Sequence, residues 1–494
     1  MDYTEKEVRA VVLACYISGF IAPLLSTMMN LSLVNIGEDF DIGSHDLAYV
    51  NSAFLLTSVI FMVPFARLAD IIGKKKLFVI GLSIIVVGCF VACLAPNFWF
   101  VVIGRGIIGI GSASLATVSI SMLTDVTPLQ KRGTVMGYST MFIYMGLSLG
   151  PVIGGALNDL IGWRLLFLLT VPLAAISIAL ITTGFKGEIQ PHPDGVFDTK
   201  DAVLYGIAIL LSMAGVMNLP ATWAIVSLVV GVIFMFIFVR TQIGNANCLL
   251  NMGLFKNWQF TGSCVASFMS YASSYSISFF LALYLQSIGQ LSSTEAGLVM
   301  VTQPLVQCIC SPIFGKLTDR VRNKVVLPTV GMVLTCVSLS IYITYTLDTP
   351  VYMTVVAMII GGIGFAMFSA PNTTLIMSSV SRDHSSEASG VLAVMRQAGM
   401  MVSMGVAMLF ITIIMGSMDN LRPETYQTFL DVMRYSFIAS LVMCIIGTIT
   451  SALRGPKSPV GNRGRCSHFG DSWKISVLPK SYSQHNLYGI PKKI

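Results

Sequence analysis

From about residue 8 to residue 453 the chain is a series of long apolar runs separated by short polar stretches. Each run holds roughly 20 residues, enough for a helix to cross a ~30 Å hydrocarbon core. The pattern predicts about fourteen such helices, beginning with 8–34 and 47–66, passing through 200–218 and 221–239, and ending with 430–453. Little sequence remains for a soluble domain, so the predicted fold class is an all-α polytopic membrane protein. After Leu453 the apolar periodicity stops, and 454–494 reads as a disordered tail.

Composition agrees with this reading. Of 494 residues, 55% are hydrophobic and only 11% charged, with mean hydropathy +0.79, whereas soluble domains carry about 25% charged residues. The first apolar run is too long for a cleaved signal and has further spans after it. Cations sort to alternate loops. Arg67, Lys74, Lys75, Lys76, Lys131, Arg132, Lys186, Lys256, Lys316, Arg320, Arg322, Lys324 and Arg382 share one side, and the other side is nearly free of them apart from Arg164 and Arg422. By the positive-inside rule both termini are expected in the cytoplasm, with the protein in the cell membrane. These loops and the basic tail account for the net charge of +7 without a nucleic-acid surface. The ten cysteines fall mostly within spans and read as free thiols.

Two polar knots occupy equivalent places. "ARLADIIGKKK", from Ala66, and "GKLTDRVRNK", from Gly315, each follow a second span and precede a third, matching Arg67 and Asp70 to Lys316 and Asp319. "GYSTMFIYMG", Gly137 to Gly146, likewise keeps its terminal glycines in "GVLAVMRQAG", Gly390 to Gly399. The chain reads as a duplication: a six-helix half over 8–184, an inserted helix pair with its loops over 185–240, and a second six-helix half over 241–453. Parallel repeats with a site at their midplane interface are a transporter architecture.

On these residues the chain resembles the major facilitator superfamily. "ARLADIIGKKK" looks like that family's loop signature and "MGLSLGPVIGG", Met145 to Gly155, like its fifth-helix antiporter signature. With about fourteen spans it is similar to the EmrB/QacA-like drug:proton antiporters. The resemblance implies a secondary transporter working by alternating access and exporting small amphipathic or drug-like molecules, with protons as a coupled partner. It also implies a conformational latch built from Arg67, Asp70, Gly73, Lys74, Lys316 and Asp319. Physically, a carboxylate beside cations and a helix N-terminus ties helix ends together reversibly. Alternatively, Lys74, Lys75 and Lys76 only enforce topology. Gly146, Gly150, Pro151, Gly154 and Gly155 form the antiporter string, with ordinary close packing the other reading for any single glycine.

"GRGIIG", Gly104 to Gly109, fits a dinucleotide fingerprint, but no strand precedes it, so cofactor binding is rejected. Arg105 is the informative residue there, because a cation within an apolar run needs a cavity or a partner. The resemblance ties this arginine to proton coupling, and snorkelling to the interface is the alternative. Leu25 stands where the family usually carries aspartate, and no carboxylate is expected deep in a span, which sets proton coupling and cationic substrates against the family pattern. All five histidines fall outside the spans, so no metal site or histidine relay is expected. A substrate path would be lined by Asn30, Asn51, Tyr144, Tyr271, Tyr275, Gln303, Gln307 and Asn372, with Arg105 and Arg396 as cations, and interhelical hydrogen bonding competes with ligand contact at each. No nucleophile–base set or phosphate loop suggests an enzyme. A monomer without cofactors is expected, facing the lipid bilayer and a small-molecule substrate. An importer of a small metabolite is the rival function.

Overall fold

The computed structural model describes residues 3–42, 44–245, 247–416 and 423–454. The predicted tail, apart from Arg454, lies outside the described residues. In chain order the helices are α1 (Glu5–Phe40), α2 (Ser44–Ile72), α3 (Lys74–Cys93), α4 (Phe98–Val126), α5 (Arg132–Ile161), α6 (Trp163–Leu168), α7 (Thr170–Gly184), α8 (Thr199–Met217), α9 (Thr222–Gln242), α10 (Trp258–Leu283), α11 (Ser293–Arg320), α12 (Val326–Ile343), α13 (Val351–Ser378), α14 (Ser385–Ile414) and α15 (Tyr426–Ala452). Among the described residues fourteen spans are long and apolar enough to cross a membrane, α6 and α7 together making one. Their uniform apolarity follows from the solvent, since in hydrocarbon every backbone group must bond within its own helix.

Local chemistry fixes the ends. Thr4 and Glu7 make a capping box for α1, Ser292 and Glu295 make one for α11, and Asn97 and Asp198 cap α4 and α8. Three large apolar cores and a small one around Met62, Ala113 and Ala393 result among the described residues. One runs from Val11 to Ile189, a second from Ala266 to Cys444. The third joins Val59 and Val63 of α2, Tyr205, Ile209 and Met213 of α8, and Ala388, Val391 and Leu392 of α14. The pair α8–α9 thus covers the seam between α2 and α14, and the Tyr205 hydroxyl donates to the Val59 carbonyl at 3.2 Å.

Two stretches singled out from the sequence acquire surroundings here. Arg105 does not snorkel: its side chain is fully buried. The string on α5 is a packing face toward α1. A Cβ on Gly146 would lie 2.7 Å from the Phe20 carbonyl, one on Gly154 2.9 Å from Met28 Cα, and one on Gly150 would overlap Thr27 Oγ1. Asn30 and Gly155 lie outside the residues whose surroundings are described.

Candidate functional site

Helices alternate in direction, so α1, α3, α5, α12 and α14 begin, and α2, α4, α11, α13 and α15 finish, at one end of the bundle. That end is called the terminal end here, since Glu5 and Arg454 lie on it. Hydrogen bonds between a first group of helices, α1–α7, and a second, α10–α15, gather there.

Lys74 stands at the N-terminus of α3 with its side chain completely buried. Its Nζ lies 2.5 Å from Asp125 Oδ2 on α4, donates to Ser385 Oγ on α14 at 2.7 Å, and sits 4.0 Å from Asp70 Oδ1. A buried ammonium is tolerable only when paired, so Lys74 does more than set topology. Asp125 was missed by sequence reading because it falls at the last turn of α4, where a carboxylate looks like an ordinary loop charge. Ser385 in turn donates to Asp125 Oδ1 at 2.9 Å, and Ser121 lies 2.9 Å from Ser385 and 3.2 Å from Ser386. Asp70 is buried, and neither of its carboxylate oxygens accepts a hydrogen bond. Arg67 is also buried, with Nε lacking an acceptor.

The second copy is built differently. Asp319, at the end of α11, accepts from Gly133 N and Thr134 N, each at 2.7 Å, and from Thr134 Oγ1 at 2.6 Å. This carboxylate closes the N-terminus of α5, where unpaired N–H groups and the helix dipole favour an anion. Lys316 is not in that tie; its Nζ lies over the Tyr138 ring at 5.4 Å. Arg132, read from sequence only as a topology signal, is buried and joins the groups by donating to the Met377 carbonyl at 2.9 Å and the Thr124 carbonyl at 3.2 Å.

A second cluster sits near the middle of the bundle. Phe365 of α13 packs edge-on against Tyr144 of α5 at 6.2 Å and Tyr271 of α10 at 5.1 Å. The Arg396 guanidinium of α14 lies 5.7 Å from the Tyr271 ring and donates to Thr373 Oγ1 at 2.5 Å, while its Nε is buried without an acceptor. Tyr275, one turn beyond Tyr271 on the same face, is 45% exposed. Gln303 is half-buried and Gln307 buried on α11.

Other candidates belong elsewhere. Asn51 accepts from Arg105 Nη2 at 3.2 Å, and the Arg105 guanidinium lies 4.7 Å from the Phe54 ring, so these form a unit of α2 and α4. Asn372 makes interhelical hydrogen bonds: its amide nitrogen donates to the Ser263 carbonyl and to Ser267 Oγ at 2.8 Å, and its oxygen accepts from the buried Arg454, tying α10, α13 and the end of α15 together. The rings of His192 and His384 lie 6.4 Å from each other. Among the described residues no group of three or more His, Cys, Asp or Glu is placed to hold a metal.

The family model described as "Major Facilitator Superfamily" matches residues 15–254 and 263–479. The chain is 25% identical over 375 residues to the riboflavin transporter RibZ of Clostridioides difficile, covering 76% of this chain and 82% of that one. It is 24% identical over 452 residues to the lincomycin resistance protein LmrB of Listeria monocytogenes, covering 89% and 95%. The crystal structure of the human organic anion transporter MFSD10 superposes with TM-score 0.64 at 14% identity, covering 90% of this chain and 99% of that one.

Proposed function

The chain belongs to the Major Facilitator Superfamily, and from that premise we propose that this membrane transporter exports amphipathic aromatic molecules, neutral or anionic, by alternating access between its two six-helix halves. One observation carries the reading: the cluster of Tyr144, Tyr271, Phe365 and Arg396 draws on both halves and packs three rings, Tyr144 and Phe365 among them buried, beside one cation. Aromatic rings beside a guanidinium with a buried nitrogen lacking an acceptor offer a small molecule apolar contact and one charge-assisted hydrogen bond once the halves move apart. A cationic drug would meet Arg396 with nothing to offset it, while an acceptor or anion would satisfy its free Nε. The resistance protein among the relatives supports export. The relative named as a riboflavin transporter favours a second reading, import of a planar metabolite through the same cluster.

The terminal-end ties are the proposed latch, holding that end closed with the opposite end free to open, and the cation-rich loops support a cytoplasmic terminal end. Leu25 is buried and cannot titrate, so proton coupling, if routed through the protein, falls to the terminal-end carboxylates Asp70 and Glu387, and only a modest dependence on an imposed pH gradient is expected. The test is accumulation of paired dyes, anionic fluorescein against cationic ethidium, in cells with and without the protein. Lower fluorescein retention, abolished by Arg396→Gln while ethidium is unchanged, is expected; selective expulsion of ethidium would sink the substrate assignment.

A further inference from the structure

The segment between α7 and α8 does more than connect them. Phe185 and Ile189 are buried in the first core, and the residues between and after them wrap the turn joining α2 to α3. Glu188 Oε1 accepts from Lys75 N at 2.7 Å and from its own neighbour Ile189 N at 3.0 Å, and Oε2 accepts from Lys76 N at 3.2 Å. Lys74 N donates to the Ile189 carbonyl at 3.0 Å. Thus the first three N–H groups of α3, which a helix cannot satisfy itself, all go to Glu188 and Ile189. On the other side of the turn, His192 N donates to the Asp70 carbonyl at 3.0 Å and the Gln190 side chain to the Ile71 carbonyl.

Gly73 fits the same arrangement. It is the N-cap of α3, has φ of +107°, and offers no side chain to cap the helix. A Cβ there would run into the Glu188 carboxylate. The second copy provides the contrast. Arg322 stands at the position equivalent to Gly73, and the chain before α12 caps itself: Asn323 Oδ1 accepts from Val325 N at 3.2 Å and its carbonyl from Val326 N at 3.3 Å. The glycine is present where an outside carboxylate must enter and absent where none does.

We propose that Glu188 is a positioning residue of the latch: the strap Phe185–His192 fixes the α2–α3 turn so that Lys74 reaches Asp125 and Ser385 across the closed end. This rests on the latch reading above. The strap leads directly into α8, which packs on both α2 and α14, so it links the inserted pair to the residues that close the terminal end. The reason is geometric. The Lys74 ammonium is buried and bonded to two helices of different groups, and its backbone nitrogen is held by the strap itself. Releasing the strap frees the first turn of α3 and with it the base of that side chain.

The test uses the full chain in detergent with two readouts. Amide exchange at Lys74, Lys75 and Lys76 should rise about two- to thirtyfold in Glu188→Ala, the range a helix N-cap supplies. Glu188→Gln, which keeps one acceptor, should fall between. Spin labels at Lys131 and Arg382, exposed on opposite groups, should report a longer and broader distance in Glu188→Ala, as in Lys74→Ala. Faster exchange with an unchanged distance, while Lys74→Ala lengthens it, would reduce Glu188 to a helix cap and overturn the proposal. An unchanged distance in Lys74→Ala itself would remove the latch reading and the proposal with it. Should Glu188→Ala fail to fold, Gly73→Ala displaces the same carboxylate and is expected to lengthen the distance; no change there would count against the strap.

Discussion

Asp125 is the carboxylate in hydrogen-bond contact with buried Lys74, and Asp70 stands farther off at 4.0 Å. Removing one partner of a buried pair destabilises by about 3–5 kcal/mol because the remaining charge is left uncompensated. Asp125→Asn is therefore expected to open the terminal end, read as a longer Lys131–Arg382 label distance, and Lys74→Met, which leaves both Asp125 and Asp70 without their cation, should lengthen it at least as much. His192 gives the same end a pH response. Burial, then the Arg67 cation, lowers its pKa in the closed arrangement, with Glu387 and Asp383 pulling the other way and His384 adding to the Arg67 effect. The closed state thus binds fewer protons than an opened state with hydrated imidazole. At pH above the ordinary imidazole value of about 6.5 the closed state loses nothing, and as pH falls below it proton uptake favours opening. Proton uptake by His384, held 3.6 Å from the Glu387 carboxylate, acts the opposite way, so the readout is the difference between proteins: at about pH 5.5 the label distance should be shorter in His192→Asn than in the parent, and at about pH 7.5 the two should agree.

At the scale of elements, the duplicated knots have diverged at the third residue of the helix each one faces. In α5 that residue is Thr134, whose N–H and hydroxyl both donate to Asp319; in α14 it is Glu387, whose Oε2 instead accepts from Asn251 N at 3.2 Å. Asp70 therefore meets a like charge where Asp319 meets a donor, and Lys74 supplies the missing attraction. From sequence, Asp319→Asn is expected to matter less than Asp70→Asn, since the second copy lacks the glycine. The geometry reverses that order: Asp319→Asn turns a donor toward the N–H groups of α5 and should impair closure more strongly. The α5 rod separates two roles as well. A Cβ on Gly137 would lie 2.7 Å from the Ser311 carbonyl and 2.9 Å from Gly315 Cα of α11, across the groups, while Gly150 packs on α1 within one group. Gly137→Val is expected to shift the label distance with little change in Tm, and Gly150→Val to lower Tm, each measured on purified protein.

For the whole molecule, the ties at the terminal end and the apolar seal of α8–α9 over the α2–α14 seam describe a bundle closed at one end. With that end in the cytoplasm, a cysteine at exposed Asp348, in a background without the native cysteines, should react with an impermeant thiol reagent added outside cells, and one at exposed Arg322 should not. The opposite labelling would invert the orientation and, with it, which compartment the closed end shuts off.

The number of spans and the family were legible in the chain because hydrocarbon imposes its demand on every residue of a helix, so twenty apolar positions in a row carry the message locally. The loop signature marked Asp70 and Asp319, and the aromatic and cationic residues within the spans marked Tyr144, Tyr271 and Arg396. Which of them meet was a tertiary matter. Asp125, Arg132, Ser385 and Glu188 look like ordinary loop or helix-end residues, and Asn372 and Asn51 like path residues, until the packing of helices far apart in sequence brings Lys74 to Asp125 and Arg454 to Asn372. A buried charge or amide acquires its role from the partner that satisfies it, and that partner is set by which helix ends converge, a property no local pattern encodes.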